Sequence, residues 1–230
     1  MSERGHEPDY LSATRIAYDT VAPDYADLLA DNLAHQPFDR AVLGLYAELV
    51  HVATRSTDGT LPQVKDVGCG PGRITAHLAS LKLDASGIDL SPAMIDEARR
   101  RHPGLTFTVG SMTALDELIA GSVDGIVAWY SVIHVPPAEH RAVYAGFRRA
   151  LKPGGHLLLA FQCGDEKRDI TDAYGHSGLR LDAYRLQPDH VEADLAATGF
   201  THVARLTRAP IDAEKNPQAY IIARAEPQKY

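Results

Sequence analysis

Apolar residues recur along this chain in two spacings, and from about residue 60 onward the two alternate. Short apolar runs at Leu61–Val67, Ala85–Asp89, Leu105–Val109, Val123–Trp129 and His156–Phe161 predict strands buried on both faces. Between them, helical spacing predicts helices over Gly72–Leu81, from Ser91 to about Arg101, and over Pro137–Leu151. Ser91 before Pro92 reads as an N-cap with proline at the first helical position, and His102-Pro103-Gly104 as the stop. A helix over Pro188–Ala197 ends at Gly199, and strands at Thr201–Thr207 and Gln218–Ala225 close the pattern as an antiparallel pair. Two helices are expected ahead of this block. The first runs over Leu11–Leu33, with Ile16, Tyr18, Val21, Tyr25 and Leu28 buried. The second runs over Phe38–Ala53, with a stripe of Phe38, Val42, Leu45, Leu49 and Val52. Thr57–Pro62 reads as a linker, Asp116-Glu117-Leu118 as a short connection, Ser2–Glu7 as a loose tail, and Gln162–Gln187 as a long irregular loop of the kind that forms lids.

Strand–helix alternation predicts an α/β fold with a doubly wound, Rossmann-like parallel sheet and right-handed crossovers. The expected organisation is a single domain over 1–230. Residues 1–56 form a helical cover, 61–230 the core, and about 162–187 a lid insertion. Ligands of such sheets bind beyond the carboxyl ends of the strands, at the point where strand order reverses. The chemistry-bearing residues of this chain fall at those ends.

The first is the turn Val64-Lys65-Asp66-Val67-Gly68-Cys69-Gly70-Pro71-Gly72-Arg73. A strand, a glycine-rich turn and a helix start let a ligand approach bare backbone and the N–H groups of a helix N-terminus. Three readings apply: a tight turn without ligand, a dinucleotide cradle, and a site for a nucleoside sulfonium. The spacing G-x-G-x-G misses the dinucleotide fingerprint G-x-G-x-x-G. Asp66 would repel a pyrophosphate but suits an ammonium and a sulfonium, which favours the third reading. Asp89, at the end of the second predicted strand, is placed to accept ribose hydroxyls, with helix capping as its plainer role.

Composition narrows the partners. The chain has 230 residues, and 30 acidic against 23 basic residues give a net charge of −7. With no dense basic run beyond Arg99-Arg100-Arg101, a nucleic-acid partner is not expected. No apolar run suits a membrane span, and Met1–Tyr10 is polar, so a cytoplasmic location without membrane association is expected. Cys69 and Cys163 lack metal-ligand spacing, the eleven histidines are dispersed, and no metal site is expected.

Taken jointly, Val64–Arg73, Gly87–Met94, Val123–Ala128 and Leu151–His156 resemble successive motifs of the class I S-adenosylmethionine-dependent methyltransferases. The resemblance is strong over about Leu61–Leu159. It implies a seven-stranded sheet with an antiparallel last strand and S-adenosylmethionine as donor, S-adenosylhomocysteine as product. Asp66, Gly68, Cys69 and Gly70 would wrap the methionine end and Asp89 the ribose. Leu90 and Met94 would flank the adenine, with Ser111 and Met112 lining its pocket. Many relatives carry an acid at the position of Ser111, so the base would rest on backbone and apolar contacts. Ala128 and Trp129 would lie near the methionine part. Tyr18-Asp19-Thr20-Val21-Ala22-Pro23-Asp24-Tyr25 resembles a cofactor-closing helix whose Tyr18 and Tyr25 reach the methionine carboxylate; helix packing is their alternative role. Arg15 or Arg73 would pair with that carboxylate. Tyr130 and His134 fall beside the transferring methyl, and His134 is read equally as a base and as an orienting group. The acceptor implied is a small molecule with an oxygen or nitrogen nucleophile, and the protein a monomer or homodimer. Methylation of a peptide or protein carboxylate, and a non-catalytic cofactor-binding regulator, are the alternatives; a nicotinamide-dependent oxidoreductase is disfavoured.

Overall fold

The structure, a computed structural model, describes residues 8–54, 59–115, 119–212 and 214–227. Seven strands form one sheet: β1 (Gln63–Val67), β2 (Asp84–Asp89), β3 (Thr106–Val109), β4 (Val123–Trp129), β5 (Leu151–Gln162), β8 (Phe200–Arg208) and β9 (Gln218–Ala225). Their order is β3-β2-β1-β4-β5-β9-β8. The pairs among β3, β2, β1, β4 and β5 are parallel, whereas β9 runs antiparallel to both its neighbours. The order reverses between β1 and β4, so the site is expected at their carboxyl ends.

Helices α3 (Arg73–Ser80), α4 (Pro92–Arg101), α5 (His140–Ala150) and α6 (Pro188–Ala197) make the crossovers, and α1 (Asp9–Leu28) and α2 (Pro37–Thr54) precede the sheet. Two apolar layers result. One joins Val67, Ile126, Ala128, Leu157 and Leu159 to Tyr144 and Phe147 of α5. The other joins Val64, Val127, Trp129, Leu158 and Tyr220 to Leu43, Tyr46 and Val50 of α2 and Leu78 of α3. Alternation along β4 explains the split: Ile126 and Ala128 face one layer, Val127 and Trp129 the other. The β4 side chains are buried throughout, as a central parallel strand requires.

Three expectations need correction. The segment 162–187 is not irregular: β6 (Lys167–Ala173) and β7 (His176–Tyr184) form an antiparallel hairpin. Its two-residue turn, Tyr174-Gly175, has φ of 54° and 83°, the signature of a type I′ turn, whose twist matches the strands it joins. On α2 the buried stripe is Asp39, Val42, Leu43, Tyr46, Ala47 and Val50, turned one residue from the expected one, so Phe38, Leu45 and Val52 face outward. The helix turns because Tyr46 reaches under the sheet, its hydroxyl donating to the His156 carbonyl at 3.3 Å. On α1, Ile16 and Leu28 are exposed, and the helix ends at Leu28 because Leu29 leaves helical geometry. The expected tail at Ser2–Glu7 and connection at Asp116–Leu118 lie outside the described residues, as do the first two residues of the linker. Among the described residues no helix is long and apolar enough to cross a membrane.

Candidate active site

The glycine turn after β1 is fastened to the end of β2. The Gly68 and Cys69 N–H groups both donate to the Ile88 carbonyl, at 2.7 and 3.1 Å, and the Gly70 N–H donates to Asp89 Oδ2 at 2.7 Å. Three N–H groups that a phosphate loop would present to its anion are therefore already satisfied. A pyrophosphate at the turn would find these three groups occupied. Gly68 has φ of +77°, and a Cβ there would stand 2.3 Å from Ser131 Cβ. Ser131 in turn donates from Oγ to the Val67 carbonyl at 2.7 Å, tying the turn after β4 to the turn after β1.

Asp89 also accepts from the Ser91 N–H through Oδ1, at 2.9 Å. Each carboxylate oxygen thus spends one lone pair on backbone and keeps another for a hydroxyl. Burial raises the Asp89 carboxyl to about 6 against the pull of these N–H donors. Ser91 caps α4 as expected, its Oγ accepting from the Met94 N–H at 3.1 Å. Asp19 accepts from Ser91 Oγ at 2.5 Å and from the Ala93 N–H at 3.1 Å, so α1 is docked on the start of α4.

A cavity of about 880 Å³ opens over this turn. Its wall includes Asp66, Gly68, Cys69, Gly70 and Arg73 from the turn, Asp89, Leu90 and Met94 from the β2 end, and Ser111 and Met112 after β3. Trp129, Tyr130 and His134 line it after β4, and Tyr18 and Tyr25 from α1. Arg15 also lines it. Ala128 does not: its side chain packs in the core layer behind the wall, because its neighbour Trp129 takes the face that fronts the cavity. Ser111 holds its hydroxyl in a local turn, 2.8 Å from the Thr113 hydroxyl.

Three buried polar atoms in this wall have no partner among the described residues: Asp66 Oδ1, Arg73 Nη1 and Trp129 Nε1. One is an acceptor on a carboxylate and two are N–H donors. Buried groups of this kind are costly unless a ligand completes them. Asp66 is fully buried, its other oxygen accepts from the Thr75 hydroxyl at 2.7 Å, and burial raises its carboxyl to about 7. An amino-acid zwitterion supplies an ammonium for the acceptor and a carboxylate for the donors.

Tyr130 follows β4 with φ of +51°, a left-handed conformation that a bulky side chain adopts only under constraint. The constraint is visible: its N–H donates to the Ala160 carbonyl at 2.9 Å and its ring lies edge-on to Trp129. Two residues past Val132, His134 ends a 3-10 turn. Its Nδ1 lies 2.7 Å from the Asp182 carbonyl on β7 and its Nε2 2.7 Å from the Tyr18 hydroxyl. A carbonyl only accepts, so Nδ1 carries the proton, and Nε2 accepts from Tyr18. Burial holds the His134 imidazole below its usual pKa and the Tyr18 phenol well above its own, so both are neutral.

Sequence reasoning missed Asp182, Ser131, Asp19 and Thr75. Asp182 acts through its backbone carbonyl, which leaves no side-chain signal. Asp19 lies inside the Tyr18–Tyr25 motif, next to residues that were singled out.

A second cavity, of about 1130 Å³, adjoins the first. The two share Tyr18, Tyr25, Arg73, Tyr130 and His134. The far walls of the second come from the hairpin, with Ile170, Tyr174, Leu181 and Tyr184 among them. Among the described residues no cluster of His, Cys, Asp and Glu could hold a metal ion.

Residues 64–155 match the family model of the methyltransferase domain. The chain is 31% identical over 149 residues to a demethylmenaquinone methyltransferase of Beutenbergia cavernae, covering 64% of this chain and 61% of that protein. It is 32% identical over 102 residues to a ubiquinone biosynthesis O-methyltransferase of Xanthomonas oryzae, covering 43% and 42%. The chain thus spans less than two thirds of the length of either of these two relatives. Among solved structures, the 1,6-didemethyltoxoflavin-N1-methyltransferase of Burkholderia thailandensis superposes over 99% of this chain and 94% of its own, with a TM-score of 0.69 at 19% identity. The magnesium protoporphyrin IX methyltransferase of Synechocystis covers 96% and 100%, with a TM-score of 0.67 at 17% identity. At these identities the structural likeness speaks for the fold.

Proposed function

Because the chain belongs to the class I S-adenosylmethionine-dependent methyltransferases, we propose that it moves a methyl group from S-adenosylmethionine to an oxygen or nitrogen nucleophile of a small molecule. The observation that carries this reading is the trio of unpartnered buried atoms, Asp66 Oδ1, Arg73 Nη1 and Trp129 Nε1, in a wall that also holds Asp89. Asp66 would take the donor's ammonium, Arg73 and Trp129 its carboxylate, and Asp89 the ribose hydroxyls. Leu90, Met94 and Met112 offer the base an apolar slot. When bound, S-adenosylmethionine supplies a methyl on a positively charged sulfur, open to in-line displacement.

The remaining chemistry belongs to Tyr18 and His134. The Tyr18 hydroxyl donates to Nε2 and keeps its own lone pairs toward the shared mouth of the two cavities. An acceptor O–H or N–H+ placed there gives its proton to the Tyr18 oxygen as the Tyr18 proton passes to His134 Nε2. The proton ends on the imidazole, and the Asp182 carbonyl keeps the ring in the required orientation. Positioning supplies the rest, since a nucleophile held in line near the methyl needs little further assistance.

One relative supports a small acceptor by name, a ubiquinone biosynthesis O-methyltransferase. The second cavity favours an enzyme over a cofactor-binding regulator, because it places space for an acceptor beyond Tyr18 and His134. Calorimetry with S-adenosylhomocysteine and with a nicotinamide dinucleotide, followed by mass spectrometry of a phenol and amine panel, tests the proposal. Binding of the first ligand and a gain of one methyl are expected; binding of the dinucleotide alone would refute it.

A further inference from the structure

The second cavity has a charge pattern of its own, separate from the donor site. Its acidic side chains are engaged: Asp39 accepts from the Tyr220 hydroxyl at 2.6 Å, and Glu214 accepts two bonds from Arg208, at 2.5 and 2.7 Å. Burial also raises the Asp39 carboxyl. Arg208 is spent on Glu214 and on Tyr220. What is left is cationic. Arg168 on β6 lines the cavity and has no partner among the described residues. Arg185, just past β7, lines it too; Nη1 reaches the exposed Glu166 at 3.2 Å, but Nε is buried with no acceptor. The rest of the hairpin wall is apolar or aromatic, from Ile170, Leu181 and Tyr184.

A guanidinium with a buried, unanswered N–H, sharing a cavity with another guanidinium that has no ion-pair partner, is a recognition arrangement for a carboxylate, sulfonate or phosphate. Given the donor site proposed above, on which this rests, we infer that the acceptor is an aromatic or otherwise apolar molecule bearing an anionic group, held by Arg168 and Arg185 at the end away from its nucleophile. The hairpin is then the specificity element: its strands supply the apolar wall, and the two arginines, one on β6 and one just past β7, supply the anchor. Arg73, which lines both cavities, stays with the donor.

A pair of dyes with one ring system tests this directly. 8-Anilinonaphthalene-1-sulfonate carries the anion, and N-phenyl-1-naphthylamine lacks it. Titrated into the full chain with saturating S-adenosylhomocysteine, the sulfonate is expected to bind at least about tenfold tighter than the neutral dye. The double variant Arg168→Gln/Arg185→Gln should lose about tenfold in sulfonate affinity and stay within about twofold for the neutral dye. Arg168→Lys/Arg185→Lys should recover most of the loss, which a collapsed hairpin would not. Equal affinity for both dyes, an unchanged sulfonate affinity in the glutamine variant, or no binding of either dye overturns the inference. Absence of S-adenosylhomocysteine binding would instead overturn the donor site; the dye titration is then read on the free protein by the same criteria.

Discussion

The Tyr18 hydroxyl lies 2.7 Å from His134 Nε2, joining the first helix of the chain to the turn that follows β4. Residues 116 positions apart in sequence thereby share one proton donor and one lone pair. The carbonyl of Asp182 completes the arrangement from a third element, the hairpin. The first helix, the turn after β4 and the hairpin therefore meet in one chain of polar contacts.

Tyr18→Phe and His134→Gln should each reduce turnover by about 10²-fold or more while changing S-adenosylhomocysteine affinity little. Because the two groups act in series, the double variant should be no slower than the slower single one by more than a few fold. The pH profile carries a sign. In the proposed role His134 accepts a proton as the neutral imidazole, and burial lowers its pKa, so activity should fall as pH drops through a value below the usual histidine range and be flat above it. Steady-state kinetics across pH 5–8 checks both statements, with additive losses in the double variant as the contrary result.

Much of this site was legible from sequence, and the reasons differ by element. Val64–Arg73 and Gly87–Met94 announce themselves because glycine spacing, a capping serine and strand-end acids are local features. The hairpin did not. The β6 side chains Lys167, Arg168, Asp169 and Asp172 are exposed, so no period-two apolar pattern marks it, and Tyr-Gly is a rarer type I′ turn pair than Asn-Gly. The phase of α2 is not legible because the helix is apolar on more than one face, and the packing of Leu43, Tyr46 and Val50 under the sheet selects between Leu45 and Tyr46.

Asp66→Asn should weaken donor binding and stabilise the unliganded protein. The carboxyl has an ordinary value near 3.8 in the unfolded chain and about 7 when folded. Its contribution is thus fully favourable below 3.8 and is lost as pH rises through about 7, where a buried charge has formed. Asparagine avoids that charge and still accepts from Thr75. Thermal melts should coincide near pH 4 and separate by several degrees near pH 8, at about 2–4 °C per kcal/mol for a chain of this size. A variant less stable than the parent at pH 8 would contradict the assignment.

Gly68→Ala should abolish donor binding and cost about 1–3 kcal/mol of stability. The new methyl group would lie 2.3 Å from Ser131 Cβ at a φ of +77°, so both sterics and backbone oppose it. Ser131→Gly in the same chain removes the clash but not the backbone strain, and should restore only part of the stability. Chemical denaturation of the single and double variants reads the difference.

Trp129→Phe separates an orphaned donor from the ring that carries it. Trp129 packs edge-on against Tyr130 and at 5.5 Å from the Tyr220 ring, and phenylalanine keeps much of that packing. The indole N–H has no partner among the described residues, so removing it eliminates a buried unsatisfied group from the free protein. The loss of apolar area acts in the opposite direction, and the two effects should leave the melting temperature of the free protein within a few degrees of the parent. Donor binding should have no such compensation, because the bond proposed from the indole to the ligand carboxylate would be lost. A hydrogen bond to a charged group contributes about 1.5–3 kcal/mol, which corresponds to a weakening of roughly 10- to 150-fold. Calorimetry with S-adenosylhomocysteine against decarboxylated S-adenosylhomocysteine makes the test specific: the variant should weaken the first ligand and leave the second nearly unchanged. Equal weakening of both would mean that Trp129 contributes only its ring, and that the carboxylate is held by Arg73 alone.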